Sequence, residues 1–520
     1  MPNASLSPGV YVEELPSGTR TIQAAATAIT AFVGRTPMGA GEPTLVDSYS
    51  AYASSFGGLD PACTMRLVVR DFFNNGGRQA VILRLFKPST AAGARDRALI
   101  VLPNLVLVAA SRGSWANALR VRIEPSALAA DLFTLSVCHT PTGEVEVFPN
   151  LSVKEGPRRV DRVLASQSSL LRVETAMPAS AMPAAHAAAG PGAALWADDT
   201  LSTPVSADHA AQDSEPLDLA AYLGDEAART GLHALGRTKL FNLLCIPPDT
   251  VGGDTAPEVY NAALTLCVKR RAMLIMDPPA AWKTEQDVTL GLQALKRLGV
   301  RDVRARNAAL YFPRVVEIDA GQPSGRALLG ACGAVAGLMA RTDAARGVWK
   351  APAGSEATLN GVQGLALNLG DAEHGALNRL GVNCLRRFST TGIVAWGART
   401  LRGENALADE YKYIPVRRLA LHIEESLYRG LQWVVFEANG EPLWAQIRLA
   451  VGGYLQALFT QGAFQGRSPK DAYFVRCDLG TTTDNDIALG LVNIHIGFAP
   501  LKPAEFVILK VQTKAGQAQG

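Results

Sequence analysis

The chain has 520 residues, with 50 Lys or Arg and 47 Asp or Glu, which gives a formal net charge of +3 at pH 7. A near-neutral chain without a basic tract is not typical of a nucleic-acid-binding protein, which should present a one-sided positive surface. Charged residues make up only 19%, below the roughly 25% of soluble domains, and low charge weakens the repulsion between monomers. This is a first indication that the chain works inside an assembly. Its length favours roughly two to four domains.

Targeting signals and cysteines narrow the class further. The first residues, MPNASLSPGVYVEEL, have neither a basic nor an apolar region, so we expect no secretory signal. The longest apolar stretch, 99–110, is too short for a transmembrane helix, so we expect no membrane insertion. The seven cysteines are scattered without a CxxC pair, which predicts buried free thiols rather than disulfides or a zinc site.

The first part of the chain predicts an arm followed by an α/β domain. Residues 1–22 form the predicted N-terminal arm, in which Val10, Tyr11, Val12 and Glu13 alternate as in a strand. So short a strand is not stable alone and must pair with something. Strands at 29–33 and 81–85 flank helical segments at 52–56 and 65–73. We assign residues 23–87 to an α/β middle domain.

The next segment changes character. Alternating stretches at 119–123, 133–137 and 144–148 predict strands, so residues 88–225 form a predicted β-rich inserted outer domain. Within it, residues 176–216 are rich in Ala, Pro and Ser and predict a long irregular loop.

The α/β pattern then resumes and completes the middle domain with residues 226–378. Buried strands at 241–247, 273–276 and 308–312 alternate with helices at 256–271 and 287–298, which favours a mixed, largely parallel sheet. Gly330, Gly333 and Gly337 lie in a predicted helix of small residues, which indicates close helix packing.

Residues 379–499 form a predicted C-terminal domain. It should contain a strand within 388–396, a helix at 416–432, a strand at 434–436, a second helix at 439–461 and strands at 473–477 and 491–498. In the last strand, Val492, Ile494, Ile496 and Phe498 share one face. Residues 500–520 form a C-terminal arm, with a final strand at 505–511. The predicted class is therefore α/β (α+β), multidomain, with β arms at both ends.

Motifs for catalysis or ligand binding are scarce. The sequence has no phosphate-binding loop, no GxSxG elbow and no HExxH zinc motif. Asp484 and Asp486 resemble the start of a calcium loop but lack its glycine and its final glutamate, so a capped turn is favoured. The cluster at 341–347 is either a charged catalytic loop or, as we favour, a structural Arg–Asp network. We predict no catalytic, cofactor or metal site, and an α/β hydrolase stays an alternative.

The two ends carry the functional information. Each has a short β segment without an obvious partner within the chain. Either these segments fold back onto their own sheet, or they add to an exposed sheet edge of another subunit. In the second case the contact is heterologous and produces rings or open helices.

Several motifs then show a resemblance to one family. They occur in order along nearly the whole chain and are weakest in the insert at 88–225. The chain resembles contractile tail sheath proteins of phages and of related contractile injection systems. The matching segments are SPGVYVEEL, AFVG at 31–34, FFNNGG at 72–77, WANALRV at 115–121, VAGLMARTDAARGVWKAPAG at 335–354, YIPVRRL at 413–419 with Glu424, NGEPLW at 439–444, GAFQG at 462–466, Cys477–Asp478 and PAEF at 503–506.

The resemblance implies a structural, non-enzymatic subunit made in the bacterial cytoplasm. Such subunits form stacked hexameric rings around an inner tube and belong to a phage tail or tail-like particle. The sheath contracts when the baseplate triggers it and drives the tube through a target envelope. A baseplate or cap component that shares the C-terminal domain is the alternative.

The resemblance also implies site residues. Both arms donate strands to the C-terminal domains of neighbouring copies, and a helix of that domain holds the tube. The predicted donors are Val10, Tyr11, Val12, Glu13, Phe506, Val507, Ile508, Leu509 and Lys510; the predicted acceptors are Val492, Ile494, Ile496 and Phe498; and the tube-facing candidates are Arg448, Gln456 and Lys470.

Overall fold

The computed structural model describes residues 20–58, 60–174 and 182–505. Two compact units are present: residues 27–418 form the larger unit, and residues 20–26 with 419–505 belong to the smaller unit. The predicted division at 22/23, 87/88, 225/226, 378/379 and 499/500 stays a prediction. The strands at Val382–Phe388 and Gly392–Ala395 are part of the main sheet of the larger unit.

The larger unit alternates strands and helices along the chain. Its strands are β1 (Thr30–Arg35), β2 (Thr44–Val46), β3 (Ala80–Leu85), β4 (Leu99–Leu102), β5 (Leu105–Ala109), β6 (Leu119–Pro125), β7 (Phe133–His139), β8 (Glu144–Leu151), β9 (Leu171–Val173), β10 (Thr203–Pro204), β11 (Leu243–Cys245), β12 (Met273–Met276), β13 (Ala308–Phe312), β14 (Val315–Ile318), β15 (Arg326–Leu329), β16 (Gly364–Leu365), β17 (Val382–Phe388) and β18 (Gly392–Ala395). Its helices are α1 (Tyr49–Phe56), α2 (Met65–Asn74), α3 (Val160–Gln167), α4 (Leu219–Leu223), α5 (Pro257–Lys269), α6 (Glu285–Arg297), α7 (Cys332–Arg346) and α8 (Asp371–Arg379).

An eight-stranded sheet in the order β18-β17-β13-β12-β11-β1-β3-β2 organises this unit. Its six inner strands run parallel, and the two outermost strands are antiparallel to their neighbours. Side chains alternate between two cores: Phe32 packs with α2 and α7, whereas Ala31 and Val33 pack with α5 and α6. Both faces are covered by helices, as expected for apolar strands of a parallel sheet, and the predicted α/β class is confirmed.

The predicted glycine-mediated packing is confirmed for two of three positions. A Cβ atom on Gly333 would lie 2.1 Å from the Val68 carbonyl oxygen, and one on Gly337 would lie 2.3 Å from that of Phe72. Helix α7 therefore approaches the backbone of α2 as closely as only glycine permits. Gly330 precedes α7, so its placement in that helix was wrong.

The inserted segment is β-rich, as predicted. It contains a three-stranded sheet, β4-β5-β9, and a four-stranded sheet, β10-β6-β7-β8, both antiparallel, around one core. Residues 182–202, the longest described part of the predicted loop, contain no helix or strand. Arg122 fixes this segment by donating hydrogen bonds to the carbonyl oxygens of Leu201 and Ala187.

The smaller unit is mainly helical. The boundary between the units falls within α9 (Ile414–Gly430), and the chain continues with α10 (Glu441–Thr460), α11 (Pro469–Ala472), β19 (Tyr473–Arg476), α12 (Asp484–Ala488) and β20 (His495–Phe498). The strand predicted at 434–436 was wrong, because the chain forms a 3₁₀ turn at Gln432–Val434 there. The strand predicted over 491–498 forms only at His495–Phe498.

Two bulk features can be compared with the sequence. The seven cysteines are buried and free, as predicted. Among the described residues, no helix combines the length and apolar character needed to cross a membrane.

Candidate assembly surfaces

The two-stranded sheet of the smaller unit is the first candidate surface. Strands β19 and β20 are antiparallel, with Tyr473 opposite Phe498 and Val475 opposite Ile496. Ala499 N–H donates to the Ala472 carbonyl at 2.8 Å, which makes this a hydrogen-bonded pair in the same register. Because such pairs alternate, the backbone N–H and C=O groups of Ile496 and Phe498 point away from β19. In the described part of the chain, this edge of β20 carries no further strand.

The predicted acceptor residues are only partly brought together. Ile496 and Phe498 lie on one face of β20, and the Phe498 ring is 5.7 Å from the Phe464 ring. Val492 and Ile494 precede the strand in an irregular segment, since the strand is shorter than expected. All four side chains are half-buried.

The predicted donor segments themselves, 10–13 and 506–510, lie outside the described residues, but their neighbouring residues are placed. Ala25 N–H donates to Ser426 Oγ at 3.0 Å, and Ile22 packs against Gly430. Arg20 then stacks on Trp433 at 4.5 Å and lies 3.9 Å from Glu437. Residues 25 to 20 thus follow α9 to its C-terminal end.

The start of the C-terminal arm is placed beside the two-stranded sheet. Gln465 N–H donates to the Ala499 carbonyl at 2.8 Å, and Phe464 forms an isolated antiparallel β-bridge with Pro500. The positions where both arms begin are therefore in the same unit as the open edge of β20.

Helix α10 is the second candidate surface. One side of it is buried, and beyond Glu441 and Pro442 in the first turn the exposed residues are uncharged: Ala445, Gln446, Leu449, Gly453, Gln456, Ala457 and Thr460. A Cβ atom on Gly452 or Gly453 would meet nothing within 4 Å. A helix-interior glycine costs about 1 kcal/mol relative to alanine, and no contact among the described residues requires one here.

The tube-facing candidates differ in their environments. Arg448 is half-buried and donates to Glu441 Oε1 at 2.5 Å and to the Cys477 carbonyl. Gln456 is exposed and accepts a hydrogen bond from the Tyr473 hydroxyl at 2.8 Å. Lys470 is exposed on α11. Gln456 and Lys470 are thus available to a partner, whereas Arg448 is held by its own chain.

The sequence missed the loop between α9 and α10. Val435 and Phe436 are 59% and 104% exposed, and Phe436 has φ +70°. The signal was present as three apolar residues before the polar stretch Glu437–Gly440, but it resembled a short strand and was interpreted as one.

Two charged motifs of the sequence have structural roles. Arg418 donates to both carboxylate oxygens of Asp343, at 2.8 and 2.6 Å, and both side chains are buried. This confirms that the 341–347 cluster belongs to an Arg–Asp network. Asp486 caps α12 together with Thr483, so the capped turn predicted there is confirmed too.

Buried carboxyl groups were not anticipated. Burial raises the pKa of Asp277 to about 6, although the backbone N–H of Cys332 donates to its Oδ1 at 2.9 Å. Burial and mutual repulsion raise the pKa of Asp71 beside Glu317, and burial raises that of Glu317. Arg70 donates to Glu317 Oε2 at 2.9 Å.

One cavity in the larger unit has a volume of about 650 Å³. Arg84 in its wall donates to the carbonyl oxygens of Thr36 and Gly39, each at 3.0 Å. Arg112 pairs with Asp96 at 2.8 Å. These arginines are engaged by the chain's own oxygens and hold the cavity wall together.

Comparison with known proteins identifies the family to which this chain belongs. Residues 224–401 match the phage tail sheath protein central domain, and residues 408–514 match the phage tail sheath C-terminal domain. Together these matches cover more than half of the chain. The chain therefore belongs to the phage tail sheath protein family.

Particular relatives agree with this family. The tail sheath protein of Vibrio phage KVP40 is 27% identical over 195 residues, which are 37% of this chain and 28% of that protein. The chain thus matches well under two thirds of that relative's length. The anti-feeding prophage helical sheath in its contracted state has a TM-score of 0.56 and 23% identity, with 98% of this chain and 100% of the other covered. A chain of the sixfold-symmetrised anti-feeding prophage baseplate has a TM-score of 0.56, 22% identity and the same coverage.

Proposed function

We propose that this chain is a non-enzymatic structural subunit of a contractile sheath in a phage tail or phage tail-like particle. Copies assemble as stacked hexameric rings around an inner tube and contract to drive the tube through a target envelope. Baseplate and cap proteins are the further partners. Family membership over more than half of the chain carries this proposal.

The smaller unit supplies the proposed connections between copies. Both arms begin on it, and the open edge of β20 belongs to it. A two-stranded sheet alone is marginal in water, so additional strands from neighbours would stabilise it. Residues 1–19 could span at most about 65 Å when extended, which is enough to reach an adjacent subunit.

The exposed side of α10 is the proposed tube contact. Its uncharged residues permit close approach of another backbone. A tube contact there would account for Gly452 and Gly453, where an added Cβ atom would meet nothing within 4 Å among the described residues. Gln456 and Lys470 are the proposed polar contacts with the tube, whereas Arg448 is engaged by Glu441 of the same helix and by the Cys477 carbonyl.

Negative-stain microscopy of the purified full-length protein tests the proposal. Long hollow rods are expected at high protein concentration, together with hundreds of copies in each native particle. Monomers at every concentration would contradict it, and a handful of copies per particle would indicate a baseplate or cap component instead.

Removal of residues 1–19 is the matched test of the arms, because it keeps Arg20 and Ile22 on α9. The truncated chain should stay folded and soluble but form no rods. Normal rods from this variant would contradict strand exchange by the N-terminal arm.

A further inference from the structure

The loop that connects α9 and α10 carries an apolar tip that nothing within the described residues covers. Phe436 is fully exposed and Val435 is 59% exposed. Single exposed apolar residues are ordinary. Phe436 is unusual because it also has φ +70°, a conformation that costs a bulky side chain roughly 1–2 kcal/mol. Strain of this kind concentrates at functional sites.

The tip is held rigidly from both sides. On one side, a 3₁₀ turn at Gln432–Val434 precedes it, and Glu437 N–H donates to the Val434 carbonyl at 3.2 Å. On the other side, Asn439 donates to the Leu491 carbonyl at 2.9 Å and accepts from Trp444 Nε1 at 3.0 Å. A ring presented on a fixed loop loses little entropy when it binds, which is the character of an interface anchor.

The position of the tip identifies what covers it. Arg20, the first described residue, stacks on Trp433 and pairs with Glu437, which flank the tip on both sides. Residue 20, where the N-terminal arm begins, therefore lies at this loop. A neighbouring copy that receives the arm close to residue 20 would also meet this loop, which makes that copy the partner to test for the tip.

We propose that Val435 and Phe436 form an apolar anchor that inserts into a recess of the copy of this chain that receives the N-terminal arm. This inference rests on the proposed assembly and adds a second, side-chain contact beside the strand exchange. It assigns to Phe436 a role in the affinity between copies and none in the folding of a single copy.

The double variant Val435→Ser/Phe436→Ser tests the anchor, with Leu128→Ser as the matched control, since Leu128 is 76% exposed in the larger unit. The concentration needed for rods, measured by pelleting, should rise at least tenfold for the double variant and stay unchanged for the control. Circular dichroism melting should be the same for all three proteins. Rods at the wild-type concentration from the double variant would overturn the inference and leave the proposed function intact.

A photo-crosslinking amino acid at position 436 identifies the occupant in an otherwise unchanged chain. In rods made from a mixture of isotope-labelled and unlabelled copies, mixed-isotope cross-links between two copies are expected. Cross-links only within one copy, only to the tube protein, or none at all would overturn it. If the wild-type protein forms no assembly, both the proposed function and this inference fail.

Discussion

In the larger unit, helices cover both faces of the main sheet, and the buried Arg418 meets the buried Asp343. In the smaller unit, a two-stranded sheet has an open edge, α10 exposes glycine, and Phe436 is fully exposed. In the larger unit these apolar and charged groups find their partners within the same chain. The exposed features of the smaller unit would find partners only if other chains cover them. Under the proposed function, these features of the smaller unit are completed by contacts with other chains.

The largest expected effect belongs to the larger unit. Asp343→Ala leaves Arg418 buried without its carboxylate partner, which should lower the free energy of unfolding by about 3–5 kcal/mol. Urea unfolding followed by circular dichroism measures this change. Asp371→Ala is the control, because Asp371 pairs with Arg386 but its side chain is 92% exposed; the expected loss there is below about 1 kcal/mol. Equal losses from both variants would contradict the idea that the larger unit depends on internal charge pairing.

The stability of the larger unit should also depend on pH, because Asp277 is buried there. The pKa of Asp277 is raised to about 6 by burial. The stability of the wild-type protein relative to Asp277→Asn should therefore be greatest below about pH 4 and fall as the pH rises through 6. The pKa of Asp277 in the folded protein lies about two pH units above that of an ordinary aspartate, and this difference corresponds to a loss of about 3 kcal/mol in the free energy of unfolding. Urea unfolding of both proteins between pH 4 and 8 tests this, and a constant difference would show that Asp277 does not titrate in this range.

Substitutions at the open edge of β20 should affect the assembly of rods rather than the stability of the monomer. Ile496→Pro removes an N–H that points away from β19, whereas Ile496→Ala removes a similar side-chain volume and keeps the N–H. Proline is tolerated where an edge N–H faces solvent, so the two monomers should differ by less than about 1 kcal/mol. Only the alanine variant should form rods in negative stain. Rods from the proline variant would show that no strand pairs with this edge.

The smallest effect is expected for a substitution of the helix glycine Gly453, with the helix glycine Gly333 for comparison. Gly453→Ala adds a Cβ in open space and should stabilise the isolated subunit by about 0.5–1 kcal/mol. The same variant should bind the inner tube more weakly in co-sedimentation. Gly333→Ala is the control with the opposite sign, because its Cβ would meet the Val68 carbonyl oxygen at 2.1 Å. A destabilised Gly453→Ala monomer would show that α10 already packs against its own chain there.

The sequence predicts the structure of the larger unit better than that of the smaller unit. Apolar runs such as 308–312 correspond closely to strands of the main sheet, because hydrophobic patterning reports burial within the chain. In the smaller unit, the same reasoning placed a strand at 434–436 and extended β20 to residue 491. Apolar residues that are exposed in one copy resemble core residues in the pattern. Their placement therefore could not be predicted from burial.

The candidate site was predicted only through family resemblance. Ile496 and Phe498 share a face because the period of a strand is two residues, and this part followed from the sequence. The direction of their backbone groups depends on the pairing of β20 with β19, which no local pattern encodes. The hydrogen bond from Arg448 to the Cys477 carbonyl likewise depends on where two separate segments meet.

A cryo-electron microscopy map of the assembled rods tests the central claim most directly. The account predicts that the sheet of β19 and β20 gains strands from neighbouring copies, with the N-terminal segment around Tyr11 and the C-terminal segment around Ile508 as the donors. A map in which this sheet keeps only its own two strands, with both arms folded on their own subunit, would contradict it.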